Sequence, residues 1–322
     1  MNKKNVSRVG IGLGALLGVN LLTTELQNDL CNFLFNRDRP GYLESLLDSP
    51  SHEDWYYPIR DGAAERVRNI PHGTFTRKTE TGETLKGYFF PCRENTSETR
   101  RIAVVVHGYR SEFADTLGMY YDYYHSRGFD IFIADNRAAG ESEGTYITFD
   151  ILESEDTLDW INTLVGLYGK ETEIVLHGFS MGGATVLKCS DRVPPQVKFI
   201  VSDSGFSEAE GTLRPNLGFL YPSARRRFRK ITGLDLNDSD VRPNLKNAKV
   251  PIVFFHGEKD PTVPFSMGEE LYALCPTEKY KLFLPDAMHI ECMYVDPEGY
   301  ISLLDTAVHN HLNGIPGKDA QT

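Results

Sequence analysis

Positive charge is in deficit. Lysine and arginine number 34 against 45 aspartates and glutamates, a formal net charge of −11 over 322 residues. A nucleic-acid surface needs a basic footprint, so nucleic acid is not an expected partner. The acidity otherwise marks a soluble surface that repels anions mildly. Cysteine is scarce and scattered: Cys31, Cys92, Cys189, Cys275 and Cys292 are odd in number and none are spaced C-x-x-C. That argues against a disulfide framework or a zinc site; spacing leaves open a single Cys275–Cys292 bridge. There is no internal repeat and no low-complexity tract. The longest uncharged apolar stretch, Val9 to Leu22, holds Asn20 and four glycines and falls short of the ~20 residues a bilayer span requires.

That stretch follows Lys3, Lys4 and Arg8, a basic end before an apolar run of signal-peptide length. Its exit, Leu22-Thr23-Thr24-Glu25, offers no small-x-small cleavage site. Gly14 and Gly18 form a G-x-x-x-G, a weak signal in so short a segment. The expectation is an uncleaved signal-anchor over residues 1–24, with membrane association through residues 9–22. The basic end then stays cytoplasmic and the remainder of the chain lies outside. The rival is a glycine-rich helix packed on a cytosolic domain.

Residues 25–72 read as a helical extension with an aromatic patch at Trp55, Tyr56 and Tyr57, too poor in apolar residues for a core of its own. From Gly73 the pattern changes. Thr74–Thr76 and Leu85–Phe90 flank the turn-like Glu80–Glu83, a hairpin signal. Apolar runs then alternate with helical stretches. The runs are Ile102–Val106, Phe129–Ala134, Ile174–Leu176, Phe199–Val201, Ile252–Phe255 and Lys281–Leu284. Such runs mark strands buried on both faces. Their alternation with helices predicts an α/β fold: a mainly parallel central sheet with helices on both faces. Residues 207–249 break the rhythm with no strand-like run, and so long an interval is not structureless in a compact domain. It reads as a short helical lid inserted in a domain of residues 73–314, with 315–322 a tail.

Two pentapeptides match G-x-S-x-G. Gly178-Phe179-Ser180-Met181-Gly182 lies between the strand Ile174–Leu176 and an apolar helix, the strand–turn–helix context that presents a serine hydroxyl above a sheet. Gly140-Glu141-Ser142-Glu143-Gly144 lies in a polar loop with neither neighbour. Context selects Ser180 as nucleophile; a tight turn of no chemical role is the bland reading.

A serine needs a base, and the base an orienting acid. Of nine histidines, His289 follows the strand Lys281–Leu284 across a short loop and precedes the last helix. His107, His177 and His256 lie at strand ends before glycines, where turn-making is the simpler role. Asp260 leaves the strand Ile252–Phe255 at the carboxyl edge, where parallel sheets place chemistry. Asp203 is the runner-up, and Asp286 stands too close in sequence to His289 to orient it. The order Ser180, Asp260, His289 is that of one known class of triad. The N–H of Met181 and that of Tyr109, in the loop His107-Gly108-Tyr109-Arg110-Ser111, are the candidate oxyanion donors.

The blocks HGYRS, DNRAAGESEG, HGFSMGG, HGEKDPTVP and AMH, in this order, resemble the signature blocks of α/β-hydrolases of the serine-aminopeptidase-like and bacterial esterase groups, over roughly Gly73 to Leu312. The resemblance implies a triad of Ser180, Asp260 and His289 with Tyr109 and Met181 as oxyanion donors. The second block, with Asn136-Arg137-Ala138-Ala139-Gly140, departs from the commoner D-x-R-G-H-G-x-S of that group. The expected activity is hydrolysis of small or acyl carboxylic esters through an acyl-enzyme. The alternatives are an aminopeptidase-like peptidase on the same triad and a non-catalytic binding protein that kept the fold. No metal or organic cofactor is implied, because side chains and backbone complete the chemistry. In the lid, Leu217, Phe219, Leu220 and Tyr221 suit either an acyl pocket or the lid's own packing, and Arg225, Arg226, Arg227, Arg229 and Lys230 suit either anionic groups or a solvated face. Sequence does not set the oligomeric state.

Overall fold

The computed structural model describes residues 28–29, 31–38, 55–92 and 99–312. The expected anchor over 1–24 and the tail 315–322 lie outside the described residues.

Alternation of side chains along a strand puts successive residues on opposite faces. In β3 (Arg101–Val106), Ile102, Val104 and Val106 join one hydrophobic cluster and Ala103 and Val105 the other. The same division runs through β4 (Asp130–Ala134) and β5 (Glu173–Phe179), which are buried throughout. A strand apolar on both faces requires cover on both, and helices provide it.

The sheet has eight strands in the order β1-β2-β4-β3-β5-β6-β7-β8. The hairpin β1 (Gly73–Lys78) and β2 (Thr84–Phe90) is antiparallel, and β2 also pairs antiparallel with β4. From β4 onward every pair is parallel, through β6 (Val197–Asp203), β7 (Ile252–Gly257) and β8 (Lys279–Leu284). On one face α3 (Glu153–Tyr168) contributes Trp160, Ile161 and Leu164, and α4 (Met181–Cys189) contributes Ala184, Val186 and Leu187. On the other face lie Ala64 and Val67 of α1 (Tyr56–Arg68), Leu117, Tyr120 and Tyr124 of α2 (Phe113–His125), and Tyr300, Leu304 and Val308 of the last helix, Pro297–His311.

Residues 207–249 are helical, with α5 (Ala209–Leu217), the 3-10 turn Gly218–Leu220, α6 (Tyr221–Thr232), a second 3-10 turn and α7 (Arg242–Leu245). Leu217 and Tyr221 are buried in the core, whereas Phe219 is exposed. One expectation is corrected. His177 and His256 do not sit in turns; each lies with its glycine inside a buried strand, β5 or β7. Those glycines answer to close crossing: a Cβ on Gly178 would lie 2.0 Å from the Gly182 carbonyl oxygen, and one on Gly257 2.2 Å from that of Ala287. Cys275 and Cys292 form no bridge, and all five cysteines are free and buried.

Candidate active site

At the end of β5 the chain must reverse into α4 within a residue. Ser180 takes the turn at φ 54°, ψ −118°, a conformation costly for any residue with a Cβ. The close quarters explain the flanking glycines. A Cβ on Gly182 would lie 2.1 Å from the Val106 carbonyl oxygen, so only glycine lets α4 start against the end of β3. The Ser180 N–H donates to the Asp203 carbonyl at 2.8 Å, tying the turn to β6.

The loop after β8 carries His289 to this turn. Its ring is buried; Nε2 stands 2.8 Å from Ser180 Oγ and Nδ1 2.7 Å from Asp260 Oδ2. A carboxylate only accepts, so Nδ1 carries the proton toward Asp260 and Nε2 is left to accept from the serine hydroxyl. Asp260 Oδ1 accepts the N–H groups of Thr262 and Val263, both at 2.8 Å, which fixes the carboxylate plane. Burial opposes charge on Asp260, but the adjacent His289 and the hydrogen bonds prevail and hold the carboxyl below its ordinary range. Burial likewise disfavours the His289 imidazolium, yet the Asp260 carboxylate outweighs it and raises the ring above the ordinary histidine value.

The histidine loop is pinned on each side. Ala287 C=O accepts from Lys259 N–H at 3.1 Å, and Ile290 N–H donates to Ser204 Oγ at 3.0 Å. Ser204 in turn donates to Asp203 Oδ1 at 2.9 Å, while Tyr300 donates to Asp203 Oδ2 at 2.9 Å. Asp203 is thus spoken for by two hydroxyls, and burial pushes its carboxyl up to about 6. It supports the loop beside His289, and no hydrogen bond to that ring joins its two hydroxyl bonds. Asp286 pairs with Lys259 at the surface.

Ser142 occupies a different kind of place. It is fully buried; its hydroxyl donates to the Asp135 carbonyl at 2.6 Å and accepts the Lys86 N–H at 2.8 Å. The hydroxyl both donates to and accepts from backbone.

Tyr109 and Ser180 share the wall of a cavity of about 240 Å³. Gly108 abuts the serine, since a Cβ there would lie 3.2 Å from Ser180 Cβ. Met181 opens α4 directly after the serine. The Tyr109 hydroxyl donates to the Leu34 carbonyl at 2.7 Å, and the Arg110 guanidinium donates to the Phe33 and Asn36 carbonyls at 2.7 and 2.6 Å. The extension therefore braces this loop.

The rest of the cavity wall was not foreseen. Tyr56, Tyr57 and Arg60 of α1 line it, with Ser111 just before α2 and Asp115, Thr116 and Met119 within it. None of Leu217, Phe219, Leu220 or Tyr221 does so. The aromatic patch at Trp55–Tyr57 was the available signal, but it is equally the signal of packing, and Tyr56 does pack, its ring 5.6 Å from that of Tyr294. Among the described residues no group of three or more His, Cys, Asp or Glu side chains is placed to hold a metal.

A family model described as "Serine aminopeptidase, S33" matches residues 97–233. The protein YfhR of Salmonella typhi is 28% identical over 261 residues, covering 76% of this chain and 83% of that protein. The solved esterase Pf2001 of Pyrococcus furiosus superposes with a TM-score of 0.61 at 21% identity, over 76% of this chain and 93% of that one. The acylaminoacyl peptidase of Pyrococcus horikoshii superposes at 0.56 and 15% identity, over 78% of this chain and 44% of that one. An eight-stranded, mostly parallel sheet wrapped in helices, superposing on these solved structures, gives the chain the α/β-hydrolase fold, and its residues 97–233 resemble the serine aminopeptidase family.

Proposed function

We propose that the protein is a serine hydrolase that cleaves carboxylic esters through an acyl-enzyme. The observation that carries this reading is the continuous line Ser180 Oγ, His289 Nε2, His289 Nδ1, Asp260 Oδ2, with steps of 2.8 and 2.7 Å, opening on the cavity. Ser180 attacks the ester carbonyl while His289 takes its proton and Asp260 holds the imidazolium in place. The N–H groups of Met181 and Tyr109 meet the oxyanion, and each such donor contributes ~3 kcal/mol to the transition state. His289 then returns the proton to the leaving alcohol, and a water activated by the same ring releases the acid.

A 240 Å³ cavity with Arg60, Asp115, Ser111 and Thr116 in its wall favours a small or polar acyl group over a long alkyl chain. The name of the Pyrococcus furiosus neighbour, an esterase, supports the ester reading. The second reading, an aminopeptidase-like peptidase, draws support from the family model's description and from Asp115, a cavity carboxylate suited to a substrate ammonium. The deciding experiment compares kcat/KM on p-nitrophenyl esters of graded acyl length with that on aminoacyl anilides. Short esters should lead; a preference for the anilides would replace the first reading with the second. Failure of the folded protein to react with a fluorophosphonate would sink both.

A further inference from the structure

Helix α6 has two sharply different sides. With 3.6 residues per turn, Tyr221, Ala224 and Phe228 form one stripe, buried in the core. The opposite stripe holds Pro222, Arg226, Arg229 and Lys230, all exposed. Continued backward through the turn Gly218–Leu220, that stripe reaches Phe219, which is 90% exposed; no other large hydrophobic side chain among the described residues exceeds 56%. The cations are barely engaged. Arg229 comes no nearer than 3.9 Å to Asp235, whose carboxylate Arg225 already holds at 2.8 Å.

In a chain of net charge −11, a row of cations beside a fully presented aromatic ring is not a by-product of composition. Water is a poor partner for that ring, since burying a phenylalanine side chain yields ~2–3 kcal/mol. Phenylalanine on a surface-lying helix buries at the boundary between head groups and acyl chains, and anionic lipid attracts cations held beside it. The position agrees. Phe228 packs on Phe35 with ring centroids 4.8 Å apart, and Cys31 Sγ donates to the Ala224 carbonyl at 3.5 Å. The stretch at 31–35 thus lies against α6. Were residues 9–22 seated in a bilayer, residues 23–30 would tether α6 within ~30 Å of it.

We propose that the outer stripe of α6, Phe219 with Arg226, Arg229 and Lys230, docks the protein on an anionic lipid surface. The test uses the full chain carrying Phe219→Trp, mixed with vesicles of brominated phosphatidylcholine with or without phosphatidylglycerol. The added fluorescence should be quenched on the anionic vesicles alone. Changing Arg226, Arg229 and Lys230 to Gln together should raise the lipid concentration needed for quenching about a hundredfold. Protein that sediments with vesicles while this fluorescence stays unquenched would overturn the proposal, showing that attachment occurs elsewhere. So would equal quenching on neutral vesicles, absence of binding, or no effect of the triple change. Turnover of a water-soluble ester, whose cavity lies apart from this stripe, reports that each variant is folded.

Discussion

Two buried aspartates lie near His289, and replacing each by asparagine separates their roles. At Asp260 the geometry dictates how the amide must sit. The position of Oδ1 receives two main-chain N–H groups at 2.8 Å, from Thr262 and Val263. An NH₂ there would face two donors, so the amide keeps its oxygen at that position and turns its NH₂ to His289 Nδ1. The ring must then accept at Nδ1 and carry its proton on Nε2, against the serine hydroxyl it is required to deprotonate. The expected loss in kcat is on the order of 10⁴, or ~5 kcal/mol at 1.36 kcal/mol per tenfold. At Asp203 both carboxylate oxygens receive hydroxyls, from Ser204 and Tyr300. The Tyr300 hydroxyl lies 3.3 Å from His177 Nε2 and can turn to donate there while accepting from an amide. Asp203→Asn should therefore stay within about tenfold of wild type. The assay is kcat/KM on a short p-nitrophenyl ester, with circular dichroism to verify folding. If Asp203→Asn were the inactive protein and Asp260→Asn nearly active, the assignment of the acid would be wrong.

Three further outcomes are expected. Ser180→Ala should abolish turnover and fluorophosphonate labelling without lowering the melting temperature, whereas Ser142→Ala should cost ~1–3 kcal/mol in chemical denaturation, by stranding the Asp135 carbonyl and Lys86 N–H, yet keep activity per folded molecule within a few-fold. The base must be neutral to act, and its raised pKa places more of it in the protonated form at any given pH. The acid limb of kcat/KM should therefore fall above the ordinary histidine value of ~6.5, and a rate flat well below that value would count against His289. Tyr109→Phe removes the bond to the Leu34 carbonyl and the one accepted from Arg110 Nε while keeping the main-chain N–H; kcat should drop several-fold with KM little changed, and stability by ~1–2 kcal/mol in urea titration.

The central strands were legible because both faces of each are apolar, which leaves a short unbroken run bounded by turn residues. Their ends were not, since Gly178 and Gly257 read as turn-formers although each is a strand residue stripped of its Cβ by a crossing backbone. Ser180, Asp260 and His289, which the structure brings into one hydrogen-bonded line, were legible for a related reason. Each stands just beyond a parallel strand, and the order of strands in the chain fixes the order of the three. Ser142 could be set aside because no strand leads straight into it. The cavity wall was hidden because α1 reaches it only by folding back over α2, and no local pattern in Trp55–Arg68 distinguishes a residue facing that cavity from one packed beneath it.

This division has a physical consequence. The proposed reacting groups stand just beyond strands of a sheet whose central members are buried on both faces, where a shift of one side chain is resisted by a whole layer of neighbours. The walls of the cavity belong instead to α1 and to the loop that the extension braces through Leu34, Phe33 and Asn36. That brace is a handful of hydrogen bonds, each of ~1 kcal/mol, and residues on it can change without unmaking the sheet. If the proposed function holds, chemistry and selectivity are therefore held by separate parts of the chain with very different tolerance to substitution. A neighbour at 21% identity shares the fold alone, and on this reading differences in substrate among proteins of this fold should map to the residues before Gly73 and to the start of α2 before they map to the sheet.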